Sequence, residues 1–301
     1  MDLTLHVGDY TYSSWSLRGW LLMDPFGIAR KIRYAKMRTP EFEAMLDEIA
    51  PSRTVPALKL ADGQVVWDSL AMAETLHELF PDAGLWPADA GARALARSMV
   101  ATMHSGFTAL RGACPMNMGR AYQGFRPDED VLADLAALSR LWGLARAHPG
   151  RGDGPFLFGA FSAADAFFTP VASRIATYGL PVEGADADYV AALIGHPSVR
   201  RWRAMGQARQ EHQAHYEFEF ADRPNPHAPA ATGRVIPGLE CENTHCPYSG
   251  DPVAADCLVE MQDPTGDTRV IGYCNPFCAA KTAADPYAWP QTVALLEVPR
   301  A

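Results

Sequence analysis

The chain has 301 residues, of which 48% are hydrophobic and 20% charged; this composition is typical of folded globular proteins, and the length allows two or three domains. Its 26 basic and 35 acidic residues leave a net charge of −9, which argues against nucleic acid as a partner. No apolar run approaches the roughly 18 residues of a membrane span, and the N-terminus lacks the pattern of a signal peptide. We therefore expect a cytoplasmic protein with no membrane partner.

The first 82 residues predict the order strand, helix, strand, helix, strand, strand, helix, which is that of a thioredoxin-like domain. Alternating apolar residues mark the strands, and an Asp62-Gly63 pair between the last two is a hairpin signal. The predicted strands cover residues 3–7, 31–37, 57–60 and 65–67; the predicted helices lie around 20–23, over 40–49 and from Asp68-Ser69 to residue 80.

Residues 88–221 predict an all-helical domain. Apolar residues recur at helical spacing through this segment, and Ser162 with Asp165 resembles a capping box at the start of one helix. Residues 222–238 are rich in proline and predict a linker. Residues 239–301 then form a separate, cysteine-rich module, so the predicted fold class is a multidomain α+β protein.

Three short segments predict a site for an anionic, peptide-like ligand. In residues 54–58 a proline follows Val55 where a strand is expected, so a cis bond or an edge position would leave the Val55 backbone free to pair with a ligand. Asp68 and Ser69 open a helix whose N–H groups attract a carboxylate. The hydroxyl-rich turn within residues 10–18 opens another helix, at whose N-terminus a thiolate is stabilised.

These segments resemble the motifs of the glutathione transferase family. The chain has a Ser-Ser-x-x-x-Arg turn beginning at Ser13, an Ala-Pro-x-x-x-Val-Pro-x-Leu segment at residues 50–58, and an Asp-Ser helix start. The Ser-Ser form is most similar to the zeta class and its bacterial relatives, over residues 1 to about 220. The resemblance implies glutathione as co-substrate, a small electrophilic substrate that is conjugated or isomerised, and a homodimer.

The resemblance also implies which hydroxyl activates the glutathione sulfur. Ser13 aligns with the first serine of the zeta-type turn and is the expected residue. Ser14 is the alternative, and Tyr10 and Tyr12 are further candidates because other classes use a tyrosine near the end of the first strand. Ser13 could instead be a plain helix cap.

For binding, the resemblance implies four residues. Val55, with Pro56 behind it, pairs with the cysteinyl backbone of glutathione. Ser69 holds the γ-glutamyl carboxylate, and Asp68 pairs with the ligand ammonium. The zeta-type pattern has a cysteine where this chain has Trp15, which motivates a competing hypothesis: a non-catalytic protein that binds or senses glutathione or a metal.

Residues 241–301 contain five of the six cysteines. Two predicted strands and a short helix around them resemble treble-clef or TRASH-like zinc modules. Such a small segment has too little hydrophobic core to fold without a cross-link such as a bound metal ion. We expect a structural Zn²⁺ bound by four thiolates in a closed site. His245 could replace Cys246, and the cysteines could instead be buried thiols without metal. The expected ligands are Cys241, Cys246, Cys274 and Cys278.

Overall fold

A computed structural model describes residues 2–298. Met1 and residues 299–301, which fall within the predicted domains 1–82 and 239–301, lie outside the described residues. The chain forms two compact units: residues up to 196 together with 213–226, and residues 197–212 together with 227 onward. In the described part of the chain, no helix is both long and apolar enough to cross a membrane.

The first unit begins with a four-stranded sheet of order β2-β1-β3-β4, in which β1 pairs parallel with β2 and the other pairs are antiparallel. The predicted thioredoxin-like order is confirmed. The elements are β1 (Thr4–Val7), α1 (Ser14–Leu21), a 3₁₀ turn (Asp24–Phe26), β2 (Lys31–Tyr34), α2 (Pro40–Glu48), β3 (Ala57–Lys59), β4 (Val65–Trp67) and α3 (Ser69–Leu79).

Local chemistry explains how these elements form and meet. Thr39 caps α2 by accepting a hydrogen bond from the Phe42 N–H, and Pro40 occupies the first turn, where its missing N–H costs nothing. In α1, a Cβ on Gly19 would lie 2.7 Å from the Pro56 Cβ. A glycine is therefore required for α1 to approach the loop that contains Pro56.

The helical part of the first unit is built around α7, whose residues are all buried. The predicted capping box at Ser162 and Asp165 is confirmed. The elements are a 3₁₀ turn (Pro81–Ala83), α4 (Ala90–Ser105), α5 (Thr108–Ala113), β5 (Tyr122–Gln123), α6 (Glu129–Arg146), α7 (Ala163–Tyr178), α8 (Gly184–Gly195), a 3₁₀ turn (Ala214–Tyr216) and β6 (Ala221–Asp222), which pairs with β5.

The second unit packs helices against an antiparallel sheet of order β7-β8-β9. Its small core contains Val259, Ile271 and Tyr273, and Leu296 at the end of the last helix is buried in it. The elements are α9 (Pro197–Arg209), β7 (Arg234–Ile236), β8 (Leu258–Gln262), β9 (Thr268–Gly272), α10 (Pro276–Ala284), a 3₁₀ turn (Pro286–Ala288) and α11 (Pro290–Leu296).

This grouping differs from the predicted boundaries in two places. Helix α9 lies within the predicted helical domain 88–221, but its Arg200 forms hydrogen bonds of 2.9 and 2.6 Å to the buried carboxylate of Asp285. Strand β7 lies within the predicted linker 222–238, where Val235 is paired with Val259 of β8. In both places the structure depends on partners that are distant in sequence. The proline content of a segment does not indicate such partners.

Candidate functional site

A cavity of about 800 Å³ opens on the first unit. Its walls come from the turn before α1, the loop before β3, the start of α3, and the residues around α5 and Tyr216. All six residues predicted for thiol activation and glutathione binding line it: Ser13, Ser14, Val55, Pro56, Asp68 and Ser69.

The two serines at the start of α1 differ in what their hydroxyls do. Ser13 is the N-cap of α1, is 7% exposed, accepts from the Ser16 N–H at 3.3 Å and donates to the Ser16 Oγ at 2.8 Å. Ser14 is half-buried, and its hydroxyl has no hydrogen-bond partner among residues 2–298. Ser14 can therefore donate to a ligand at once, whereas Ser13 must first turn its hydrogen away from Ser16.

The tyrosine candidates are less available. The Tyr12 hydroxyl lines the cavity but donates to a carboxylate oxygen of Glu217 at 2.7 Å. Tyr10 is buried against Tyr34, with ring centroids 5.0 Å apart, and is not part of the cavity wall. The Ser14 hydroxyl is therefore more available to a thiol in the cavity than either tyrosine hydroxyl.

The loop before β3 presents unpaired backbone to the cavity. The Val55–Pro56 bond is cis, as is Ala50–Pro51. Strand β3 begins only at Ala57, and in the described part of the chain no hydrogen bond engages the Val55 N–H or C=O. These two groups can pair with the backbone of a peptide ligand in the manner of an added strand.

At the start of α3 a carboxylate and a hydroxyl face the same cavity. Asp68 is the N-cap: its Oδ1 accepts from the Leu70 N–H at 2.8 Å, and its Oδ2 lies 3.1 Å from His104 Nε2. Ser69 is 0% exposed, and its Oγ has no partner within the described residues. A buried hydroxyl without a partner costs about 1–3 kcal/mol, so an acceptor on a ligand would satisfy it.

Comparison with known proteins shows which proteins this chain resembles. Residues 12–79 match the family described as glutathione S-transferase, N-terminal domain. This segment is therefore similar to a glutathione S-transferase N-terminal domain. The "Probable maleylacetoacetate isomerase" of Caenorhabditis elegans is 34% identical to the chain over 101 residues, which are 34% of this chain and 47% of that protein. The chain thus spans about half the length of this curated relative.

Solved structures extend the likeness beyond residue 79. A glutathione transferase homolog from Burkholderia gl BGR1 with bound glutathione superposes with a TM-score of 0.52 at 26% identity, covering 70% of this chain and 100% of its own. Glutathione transferase Omega 3C from Trametes versicolor has a TM-score of 0.51 at 22% identity, covering 72% and 92% respectively, which reports the fold alone.

Arginines also line the cavity of the first unit. They are Arg174 and Arg111. The Trp15 ring centroid lies 4.4 Å from the guanidinium carbon of Arg18 and 5.2 Å from that of Arg111. Burial, and then the charges of neighbouring arginines, lower the pKa of Arg18 to about 9 and that of Arg174 to about 10. A cation inside the otherwise apolar sequence of α7 could have indicated that Arg174 has a role. No local pattern indicates that Tyr216, far along the chain from the other cavity residues, lines the same cavity.

One thiol lies near this site without belonging to it. Cys114 is fully buried, and burial raises the pKa of its thiol to about 12. Because the thiolate is the reactive form, this burial makes Cys114 a poor nucleophile.

The second unit gathers three of the four predicted metal ligands. The sulfurs of Cys246, Cys274 and Cys278 all lie within 4.8 Å of one another. Among the described residues this group does not include Cys241, whose thiol donates to the Asn243 carbonyl at 3.1 Å. The expected four-thiolate set is therefore not assembled. Nor does His245 replace Cys246, which is itself in the group.

Polar groups surround the three sulfurs. Cys274 accepts from Ser249 Oγ at 3.3 Å and from Asn275 Nδ2 at 3.1 Å. Burial opposes ionisation of Cys246, but hydrogen bonds from backbone N–H groups, including that of Tyr248, outweigh it and lower the pKa of this thiol. Burial raises the pKa of Cys278 to about 12. Three convergent sulfurs are a donor set that suits Zn²⁺.

Proposed function

We propose that the chain is a glutathione transferase-like enzyme, which conjugates glutathione to a small electrophile or uses glutathione to isomerise one. The observation that carries this proposal is the buried, unpartnered hydroxyl of Ser69, in the same cavity as the unpaired Val55 backbone. The family match and the glutathione-bound neighbour support it.

The binding part of the proposal assigns each end of glutathione to groups at the cavity wall. The γ-glutamyl carboxylate accepts hydrogen bonds from Ser69 Oγ and from the N–H groups that begin α3, where the helix dipole favours an anion. The ammonium pairs with Asp68, which keeps a side chain 44% exposed. The cysteinyl N–H and C=O pair with those of Val55, which directs the thiol toward the start of α1.

The chemical part of the proposal is activation of the sulfur. A free thiol with a pKa near 8.5 is only slightly ionised at neutral pH, and lowering that pKa by ~2 units needs about 2.7 kcal/mol of added stabilisation of the thiolate. A serine hydroxyl and the N-terminus of α1 supply stabilisation of this kind. The resemblance favours Ser13 as donor, and the availability of its hydrogen favours Ser14. The thiol proton passes to solvent, and the thiolate sulfur bonds to the electrophilic carbon. With an aryl halide the carbon–halogen bond then breaks and halide leaves; with a conjugated enone the carbon–carbon π pair moves to the α carbon, which takes up a proton.

Two measurements test the function. Calorimetric titration with glutathione should show binding to the wild-type chain and much weaker binding to Ser69→Ala; Ser98→Ala, an exposed serine on α4, is the matched control. Turnover should then appear with an aryl halide or with a cis-enone acid as acceptor. Absence of glutathione binding would reject the proposal, whereas binding without turnover on a broad panel of electrophiles would favour the non-catalytic alternative.

We further propose that the Cys246, Cys274 and Cys278 sulfurs supply three of the four ligands of a structural Zn²⁺ in a zinc-knuckle-like module. Zn–S bonds of ~2.3 Å place the sulfurs of a tetrahedral site roughly 3.8 Å apart, which small side-chain adjustments reach from the observed group. The zeta-like subtype, the domain limits 1–82 and 88–221, the homodimer and the cytoplasmic location also remain proposals; light scattering of the purified chain tests the dimer.

A further inference from the structure

We propose that His104 is a positioning residue that orients the Asp68 carboxylate toward the ammonium of the γ-glutamyl group. This inference rests on the proposed function of the same cavity. It starts from one contact between two helices: Nε2 of His104, on α4, lies 3.1 Å from Oδ2 of Asp68, the N-cap of α3.

The imidazole has only one productive way to hold its hydrogens. Its Nδ1 is buried and has no hydrogen-bond partner within residues 2–298. A hydrogen on Nδ1 would be a buried donor without an acceptor, which is more costly than a bare lone pair there. The hydrogen therefore sits on Nε2 and is donated to Asp68, so the pair consists of a neutral histidine and a charged carboxylate.

The histidine ring is fixed by aromatic neighbours. Its centroid lies 5.1 Å from that of Trp15 in an edge-on arrangement and 6.3 Å from that of Phe167. The His104 side chain is 22% exposed, half as much as that of Asp68. A ring held in this way is a fixed donor, and the carboxylate aligns to it.

A fixed donor matters because Asp68 has competing partners. One of its oxygens is held by the Leu70 N–H and the other by His104, while the charge of Asp68 also reaches the buried guanidinium of Arg18. Without His104 the second oxygen would be free to rotate toward that cation. With His104 in place, the remaining lone pairs stay at the cavity wall, where a ligand ammonium can meet them with little reorganisation.

The test is a double-mutant cycle in which His104 is substituted in the protein and the α-amino group is removed from the ligand. Glutathione and its analogue without the α-amino group (glutaryl-cysteinylglycine) are titrated calorimetrically into the wild-type chain, His104→Gln and His104→Asn. The Gln amide reaches the position of Nε2 and keeps the donor; the Asn amide is shorter and loses it. We expect His104→Asn to weaken glutathione about tenfold, or about 1.4 kcal/mol, and His104→Gln to weaken it no more than about twofold.

The analogue separates positioning from general damage. It should bind wild type and His104→Asn equally, because it has no ammonium for Asp68 to meet. Equal weakening of both ligands, or unchanged glutathione affinity in His104→Asn, would overturn the inference while leaving the glutathione site intact. If the wild-type chain binds neither ligand, the proposed function fails and this inference fails with it. Thermal unfolding of each variant checks that the fold is kept.

Discussion

Ser13 donates its hydroxyl hydrogen to Ser16 Oγ, 2.8 Å away, while its neighbour Ser14 presents an unpartnered hydroxyl to the cavity. Ser13→Ala should lower the free energy of unfolding by about 1 kcal/mol, because it removes the N-cap of α1. Ser14→Ala should leave stability unchanged and lower kcat/KM about a hundredfold. Urea unfolding and steady-state kinetics measure the two effects, and the opposite kinetic ranking would assign thiol activation to Ser13.

Ser69→Ala should weaken glutathione binding without lowering stability. The substitution removes a buried hydroxyl without a protein partner, so the melting temperature should stay the same or rise slightly. Glutathione affinity should fall about ten- to a hundredfold, because a hydrogen bond to a charged carboxylate is lost. Calorimetry and thermal unfolding of the same preparations give both numbers. A large loss of stability with unchanged affinity would mean that Ser69 serves the fold alone.

The buried carboxylate of Asp285 predicts a strong effect at Arg200. Asp285 is 0% exposed and is held by the Arg200 guanidinium. Arg200→Met leaves that charge buried and unpaired, so it should destabilise the second unit by about 3–5 kcal/mol, and adding Asp285→Asn should recover part of the loss. Arg33→Met, which breaks an exposed pair with Glu48, is the control and should cost no more than about 1 kcal/mol. Equal losses for the two arginines would contradict the assignment.

His6 predicts a dependence of stability on pH. Burial on β1 lowers the pKa of its imidazole below the usual value of 6.5, although the Glu48 charge opposes the shift. Because the folded state binds this proton less readily than the unfolded state, stability is present above pH 6.5 and is lost as pH falls below it, at up to about 1.4 kcal/mol per pH unit. Urea unfolding at several pH values should show a shallower decline for His6→Leu than for wild type. The exposed His245→Gln is the control, and it should follow wild type.

Removal of metal should act on the cysteine group selectively. The chain purified without added metal should contain about one equivalent of zinc. Cys274→Ser and Cys278→Ser should each lose it, because each removes one of the three converging sulfurs. Both should also be less stable, since a metal that binds only the folded state adds its binding energy to stability. Cys114→Ser, which alters a buried thiol outside the group, should keep it. Elemental analysis decides between the two results. A wild-type chain with only traces of any metal would contradict the zinc proposal.

Much of the first unit could be predicted because its signals are local. The polar–apolar alternation that predicts β1, the Asp62-Gly63 turn and the Ser162–Asp165 capping box each depend on neighbours in sequence. The structure contains the strand, the hairpin and the capping box, although β1 is buried on both faces from Leu5 to Val7. The six site residues could be named together because their motifs lie at helix starts and at a proline. Their roles remain predictions.

The features that could not be predicted depend on distant contacts. The turn after Cys241 directs its thiol to the Asn243 carbonyl, although its spacing to Cys246 is that of a ligand pair. Strand β7 forms only because β8 is present to pair with it. His104 contacts Asp68 through the packing of α4 and α3, and no pattern in either helix indicates that contact.

The chain crosses between its two compact units three times, since residues 213–226 belong to the first unit and are flanked on both sides by segments of the second. Trimming the protein at residue 226 would keep Tyr216 in the cavity wall but would remove Asp285, the partner of Arg200. Trimming at residue 196 would remove Tyr216 as well. Neither unit can be excised by a single cut, so the cysteine-rich extension is not a detachable appendage, and dissecting this protein calls for point substitutions rather than shortened forms.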